Sequence, residues 1–209
     1  IIEDASTDSG TGRWTVIKIP TLSFYEYCQL LQLDDMPLLP DHLKITDIPK
    51  MENAEVADLM ARFEPLVKHF NRYLTIGGFP ELALSDDDLY AQRMLREDVV
   101  DKVIKRDVLT LFKVRSPLLM EKLFLYLCMN STEIFSATTA AKELDNISPN
   151  TIESYVDALV KSNLIYMAYP IAVGSKSVLK GRPKIYIADA AIRNAVLMVD
   201  DVLSDEREL

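Results

Sequence analysis

The sequence predicts a mainly α-helical protein with a small β-hairpin, in which a helical region is followed by a winged helix-turn-helix. Three observations carry this. Apolar residues recur at helical spacing through the middle of the chain, glycine and proline break that pattern into segments, and the last third reads helix, turn, helix, hairpin.

The first ten residues have the composition of a loose end. Trp14-Thr15-Val16-Ile17-Lys18-Ile19-Pro20 alternates like a strand stopped by proline. Thr21 and Ser23 then offer capping hydroxyls to a short helix with Phe24, Tyr27, Cys28 and Leu31 on its apolar face. Asp34 to Pro49, with Pro37, Pro40 and Pro49, reads as a linker. Glu55 to Thr75 carries Val56, Leu59, Met60, Phe63, Leu66, Val67, Phe70 and Leu74 at helical spacing, and Pro65 predicts a kink or two helices. Gly77-Gly78-Phe79-Pro80 ends that segment; positive φ at the Gly pair would make Gly78→Val destabilising. Asp86-Asp87-Asp88 caps a long helix buried through Leu95, Val99, Val103 and Val108, with Met94, Val100 and Ile104. A helix after Pro117 buries Leu119, Leu123, Tyr126 and Leu127.

In the last third, Thr138 to Leu144 predicts a short helix and Asp145-Asn146-Ile147 a turn. Ser148-Pro149 supplies a cap and a first-turn proline to a second helix that buries Ile152, Tyr155, Val156, Leu159 and Val160 and ends at Asn163. Leu164 to Tyr169 and Lys184 to Ala188 read as two strands joined by a Gly-, Ser- and Lys-containing loop.

Composition excludes several classes of protein. With 49% apolar and 26% charged residues in 209, the chain has the makeup of a globular protein, not a disordered one. No apolar run reaches the roughly 18 residues of a membrane-spanning helix, and the acidic, polar start is unlike a secretory signal. Cys28 and Cys128 lie inside apolar helical patterns, which predicts buried thiols and a cytoplasmic protein.

Catalytic and metal-binding patterns are missing. The chain has neither G-x-x-x-x-G-K-[ST] nor G-x-G-x-x-G, and its only Gly pair precedes Phe79-Pro80. His42 and His69, the only histidines, lack partners at ligand spacing, and His69 lies in an apolar helical pattern that suits a structural role. No nucleophile elbow occurs. No catalytic or metal-binding residue is therefore assigned. Arg106-Asp107 reads as an exposed charge pair or a cap, with phosphate or subunit contact by Arg106 as the functional alternative.

The formal charge of −9 opposes nonspecific DNA binding by the whole chain, yet Leu164 to Ala188 holds no acid and carries Lys176, Lys180, Arg182 and Lys184. As a wing, that stretch suits a phosphate backbone. The second helix would present Asn150, Glu153, Ser154, Asp157 and Lys161 outward. Glu153 and Asp157 there oppose DNA, leaving Asn150, Thr151 and Ser154 near the helix start as base or phosphate contacts. The alternative is a solvated hairpin on a module that contacts protein or self-associates.

Several stretches resemble one family. Thr21-Leu22-Ser23-Phe24-Tyr25-Glu26-Tyr27 after Gly12-Arg13 is similar to the stretch that closes the ATPase domain in a group of bacterial and archaeal AAA-type P-loop ATPases with a C-terminal region of unknown function. Tyr73-Leu74-Thr75-Ile76-Gly77-Gly78-Phe79-Pro80-Glu81 resembles their Y-L-x-x-G-G-F-P-E signature, and Val103 to Val108, with Arg106-Asp107, their I-x-x-R-D-I. Ser148 to Tyr155 resembles S-x-x-T-V-x-x-Y. Lys184 to Asp189 through Arg193-Asn194 resembles K-x-Y-x-x-D-x-G-L-R-N, with Ala191 in place of the glycine.

The resemblance implies a division into 1–33, the end of an ATPase core; 34–54, a linker; 55–130, a helical lid; 131–199, the winged helix; and 200–209, an acidic tail. It makes Arg13 a phosphate-facing or subunit-contact arginine and has Asp189 and Arg193-Asn194 lock the wing to the following helix. The family's Walker motifs are not in this sequence. The chain is thus expected to be a piece of a longer protein, as its start without Met also suggests. ATP and magnesium would belong to the parent protein. The expected function is a noncatalytic lid and winged helix that couples nucleotide state to DNA or protein contact. The rival is a stand-alone winged-helix interaction or regulatory module without ATP, and a nuclease acting with a further domain stands third.

Overall fold

The computed structural model describes residues 19–33, 43–112, 114–171 and 181–199. The strand expected at Trp14–Pro20 lies outside them save for Ile19 and Pro20. Residues 34–42 and the acidic tail 200–209 lie outside as well. The described chain is mainly helical with one two-stranded antiparallel hairpin.

Helix α1 (Phe24–Leu30) starts at Ser23, whose hydroxyl accepts from the Glu26 N–H while the Glu26 carboxylate accepts from the Ser23 N–H, a reciprocal capping box. Its Tyr27 and Cys28 are buried. Phe24 packs edge-on against Phe70 with ring centres 5.1 Å apart, and Tyr27 against Tyr73 at 5.4 Å. A 3-10 turn over Ile45–Lys50 occupies the end of the expected linker and precedes α2 (Asn53–Phe63). Pro65 divides the next segment as expected: a 3-10 turn, Glu64–Leu66, separates α2 from α3 (Val67–Ile76). The apolar face expected for α2 is only partly covered by the described residues, however, with Val56, Leu59 and Phe63 half-buried. No residue of α2 is buried, and Met60 is 69% exposed. The turn at Pro65 separates α2 from α3, whose Leu74 and Ile76 are buried.

Gly77 ends α3 with φ +78°, and Pro80 occupies the first turn of α4 (Pro80–Ala83). Asp87, the middle residue of the acidic triplet, caps α5 (Asp88–Met94) by accepting from the Tyr90 N–H at 2.9 Å. The helix continues through wide π-helical turns over Leu95–Asp101 and Val103–Val108 into α6 (Leu109–Leu111). Those turns alter the expected buried face. Leu95, Val100, Ile104 and Val108 are buried, spaced by five and then four residues as i→i+5 turns require, while Val103 and Met94 are only partly covered.

Ser116 caps α7 (Pro117–Met129), which buries Leu119, Met120, Leu123, Phe124, Leu127 and Cys128; Tyr126 is only half-buried. Ser136 caps α8 (Ala137–Glu143), and Asp145 and Asn146 turn with positive φ into α9 (Pro149–Lys161). The expected cap at Ser148 is made differently, since its side chain makes no capping bond while its carbonyl accepts from Thr151 and Ile152. Helix α9 buries Ile152, Tyr155, Val156, Ala158 and Leu159 and leaves Val160 half-covered. Strands β1 (Ile165–Ala168) and β2 (Lys184–Ile187) pair with Ile165 opposite Ile187 and Ala168 opposite Lys184. On the far side of β2, the Ile185 carbonyl accepts from Thr132 and its N–H donates to the Glu133 carbonyl, so residues 132–135 run alongside it.

Helix α10 (Ala190–Leu197) packs on α3, α5, α7 and the first π-helical stretch. The buried residues therefore form one cluster from Tyr27 to Ala195, shared by the segments on both sides of residue 130. Cys28 and Cys128 are buried free thiols, and burial pushes the Cys128 thiol up to about 12. Among the described residues no helix is long and apolar enough to cross a membrane.

Arg72 ties this part of the fold together. Its guanidinium donates to the Asp88 carboxylate at 3.0 Å, the Tyr27 hydroxyl at 3.0 Å, the Ala83 carbonyl at 3.1 Å and the Ser85 carbonyl. One planar fork thus joins α1, α3 and the start of α5, a geometry an ammonium cannot copy. Arg72→Leu is expected to cost about 2–3 kcal/mol by leaving those acceptors unpaired, and Arg72→Lys to recover only part of it. Urea denaturation checks both, and a wild-type midpoint for Arg72→Leu would refute the assignment.

Candidate functional site

The signature residues that are far apart in sequence meet at one junction. Gly77 and Gly78 leave α3, and Asp189 caps α10 by accepting from the Ala191 N–H at 3.0 Å through Oδ1. Its Oδ2 accepts from the Gly78 N–H at 2.9 Å, 111 residues away in sequence. The Thr21 side chain is a third donor to the same carboxylate. Beside it, the Gly78 carbonyl accepts from the Leu22 N–H at 2.7 Å, and the Leu22 carbonyl accepts from the Tyr73 hydroxyl at 2.7 Å. Burial pushes that phenol up to about 12, with Asp189 and Glu26 adding to the shift, so it remains a donor at any physiological pH.

This geometry explains the two glycines separately. At Gly77 the φ of +78° favours glycine, and a Cβ would also lie 2.6 Å from Asp189 Oδ1. Gly78 does not have positive φ, contrary to expectation; a Cβ there would collide with the Leu22 backbone. The second constraint is close approach, not backbone handedness.

Arg193 and Asn194 extend the junction along α10. Arg193 Nε donates to the Cys128 carbonyl at 3.0 Å, and Asn194 Nδ2 to the Leu74 carbonyl at 3.2 Å. Bonds from Asp189, Arg193 and Asn194 reach Thr21, Gly78, α7 and α3. They fasten α10 to the helical region, and α10 also packs against β2 of the hairpin. Burial raises the Asp189 carboxyl above its ordinary value, and the bonds from Gly78, Ala191 and Thr21 oppose that rise.

The remaining predicted positions lie elsewhere. Pro80 is the exposed first residue of α4. Arg106 is exposed in the second π-helical stretch; Asp107 follows it there, its side chain outside the described residues. Arg13, Lys176 and Lys180 lie outside the described residues. On α9, Asn150 and Ser154 are exposed and Thr151 half-buried, beside the exposed carboxylates of Glu153 and Asp157. Asp157 pairs with Lys161 at 2.7 Å. Arg182 and Lys184 are exposed on the hairpin. His69 is half-buried on α3, where burial, then Lys68 and Arg72, lower its pKa. Between the start of α8, one face of α9 and the hairpin runs a groove of about 770 Å³.

Sequence reading missed Arg72, and it missed that Thr21, Leu22 and Tyr73 belong with Asp189. Arg72 precedes the Tyr73–Glu81 signature directly, but by charge alone it is indistinguishable from Lys68.

A family model described as a domain of unknown function (DUF8612) matches residues 67–203. The chain belongs to that family. The DUF8612 match takes in α3, both glycines, Asp189, Arg193 and Asn194, and begins after α1. An uncharacterised protein of Haemophilus influenzae is 24% identical over 187 residues, which are 88% of this chain and 40% of that protein. An uncharacterised protein of Methanocaldococcus jannaschii is 25% identical over 153 residues, 70% of this chain and 34% of that protein. The chain thus spans two fifths or less of the length of these relatives. No solved structure matches it significantly.

Two outcomes are expected at the junction. Gly78→Ala should cost about 2 kcal/mol or more, because backbone must move to admit the methyl; a melting temperature equal to wild type would refute the close-approach argument. Asp189→Asn tests the raised carboxyl. A group with a raised folded-state pKa contributes stability that is present below its unfolded value of 3.8 and lost as pH rises through the folded value. The stability advantage of wild type over Asp189→Asn should therefore be larger near pH 4 than at pH 7 in urea titrations, and an advantage that grows with pH would contradict it.

Proposed function

We propose that this chain is the noncatalytic lid and winged-helix portion of an AAA-type ATPase, which couples nucleotide state in an upstream core to a contact made by its C-terminal module. The observation that carries this reading is the fastening of Thr21 and Leu22 to Gly78 and Asp189. Those two residues belong to the stretch that resembles the close of an ATPase core. A displacement of that core would pull directly on the cap of α10, and through α10 on α7.

Two further features support the reading. The relatives have more than half of their length outside the region they share with this chain, room for a P-loop core and its ATP and magnesium. The order α7, residues 132–135, α8, α9, β1, β2 is compatible with a winged helix in which α9 would serve as recognition helix and the segment around Arg182 and Lys184 as wing. In that arrangement Asn150, Thr151, Ser154, Arg182 and Lys184 contact DNA. A second reading, a winged helix that contacts protein and has no ATP role, draws on the exposed Glu153 and Asp157 of α9.

The natural gene product decides between a nucleotide-coupled protein and a stand-alone one. A product that extends upstream with a P-loop, and loses coupling between ATP hydrolysis and partner binding in Asp189→Asn, is expected; a product that binds no ATP would overturn the reading. For the contact itself, anisotropy of the chain with a labelled duplex should show affinity that falls steeply with salt if the wing holds phosphates. Absence of binding at low salt would assign the module to a protein partner.

A further inference from the structure

We infer that the groove between α9 and the hairpin receives an extended segment of a partner protein that carries apolar and basic residues side by side. The inference rests on the reading of the C-terminal module as a contact surface and commits that surface to protein.

The groove has the dimensions of a recognition site, about 770 Å³, and its walls come from three elements. Val156 is buried, and Phe135, Val160 and Met167 are half-buried, so apolar surface lines its inner part. On α9, Glu153, Val156, Asp157 and Val160 stand at i, i+3, i+4 and i+7, and all four line the groove. That spacing sets two carboxylates along the same strip as two apolar side chains. Glu153 forms no ion pair among the described residues, and Asp157 pairs only with Lys161 on its own helix at 2.7 Å. Tyr166 and Tyr169, residues 47% and 58% exposed, also line the groove.

Apart from Arg182, the charged, aromatic and apolar parts of the lining select one occupant. An unpaired carboxylate beside exposed tyrosine rings favours a lysine or arginine, which gains an ion pair on one side and a ring face on the other. The apolar lining favours a leucine- or valine-sized neighbour. A phosphate backbone entering here would meet Glu153 and Asp157 at close range, where like charges are costly. Arg182, the cation of the lining, has the opposite preference, but stands against two carboxylates.

Anisotropy measurements on the whole chain test the inference with three labelled probes: an octapeptide of alternating leucine and lysine, its leucine and glutamate counterpart, and a DNA duplex. The lysine peptide should bind with salt-sensitive affinity, and the glutamate peptide at least tenfold more weakly. Glu153→Lys with Asp157→Lys should weaken the lysine peptide at least tenfold, and Tyr169→Ala should weaken it severalfold. Circular dichroism of each exposed-site variant should match wild type. Equal binding of the two peptides, or a charge-reversed variant that keeps wild-type affinity, would overturn the inference. Duplex binding with displacement of the peptide would assign the groove to nucleic acid, sinking the inference while sparing the contact reading. If no probe binds, the inference and the contact reading fall together.

Discussion

The carboxylate of Asp189 is the constraint on which the rest of the arrangement depends. It sits 8% exposed in a largely apolar setting, where an ion costs free energy unless its oxygens are satisfied. Three donors from three places in the chain meet that need: the Thr21 side chain, the Gly78 N–H and the Ala191 N–H. Each donor imposes a position on its own segment. Gly77 must take a positive φ, Gly78 must lie against the Leu22 backbone, and α10 must begin at Ala190. Once α10 begins there, Arg193 and Asn194 fall at the spacing that reaches the carbonyls of Cys128 and Leu74. One buried charge thereby fixes the relation of α1, α3, α7 and α10.

Much of the local structure was legible in the sequence. Caps and breakers are short-range effects, and Ser23, Asp87, Pro117, Asp145-Asn146 and Asn163 mark the elements they begin, turn or end. The alternation in β1 and β2, with Ile165 and Ile185 inward, was equally local. What failed was periodicity where geometry departed from a plain helix. The π-helical turns left Val103 only partly covered while Val100 and Ile104 went inside, because the pattern was read at 3.6 residues per turn. At α2 the pattern was amphipathic but the described residues cover it only in part, leaving Val56, Leu59 and Phe63 half-buried.

The candidate site was legible as residues and not as a place. Gly77, Gly78, Asp189, Arg193 and Asn194 could each be singled out, yet hydrogen bonds spanning 111 and 120 positions leave no trace in local pattern. The resemblance implied a lock between wing and following helix, and beside it stand bonds to partners distant in sequence. Arg72 makes the same point from the other side: its four acceptors include two backbone carbonyls, groups every residue has, so no side-chain motif announces it.

The two ends of the proposed relay differ in stiffness, and that difference bears on mechanism. The junction is made of backbone bonds to a buried carboxylate, so it transmits displacement with little slack. Its neighbour, the helix from Asp88 to Leu111, is built largely of π-helical turns, a geometry rare in long runs and common at functional positions. Helix α10 packs against the first of these stretches, and α7 against the second. In the proposed relay, a shift of α10 would be absorbed by rewinding these wide turns toward the tighter α-helical spacing, rotating the side chains that follow. Arg106 lies in the second stretch, exposed and downstream of that rewinding. In the proposed relay, a motion begun at Thr21 would have two exits, one along α10 to α7 and the hairpin side, the other along the π-helical turns to the surface that carries Arg106.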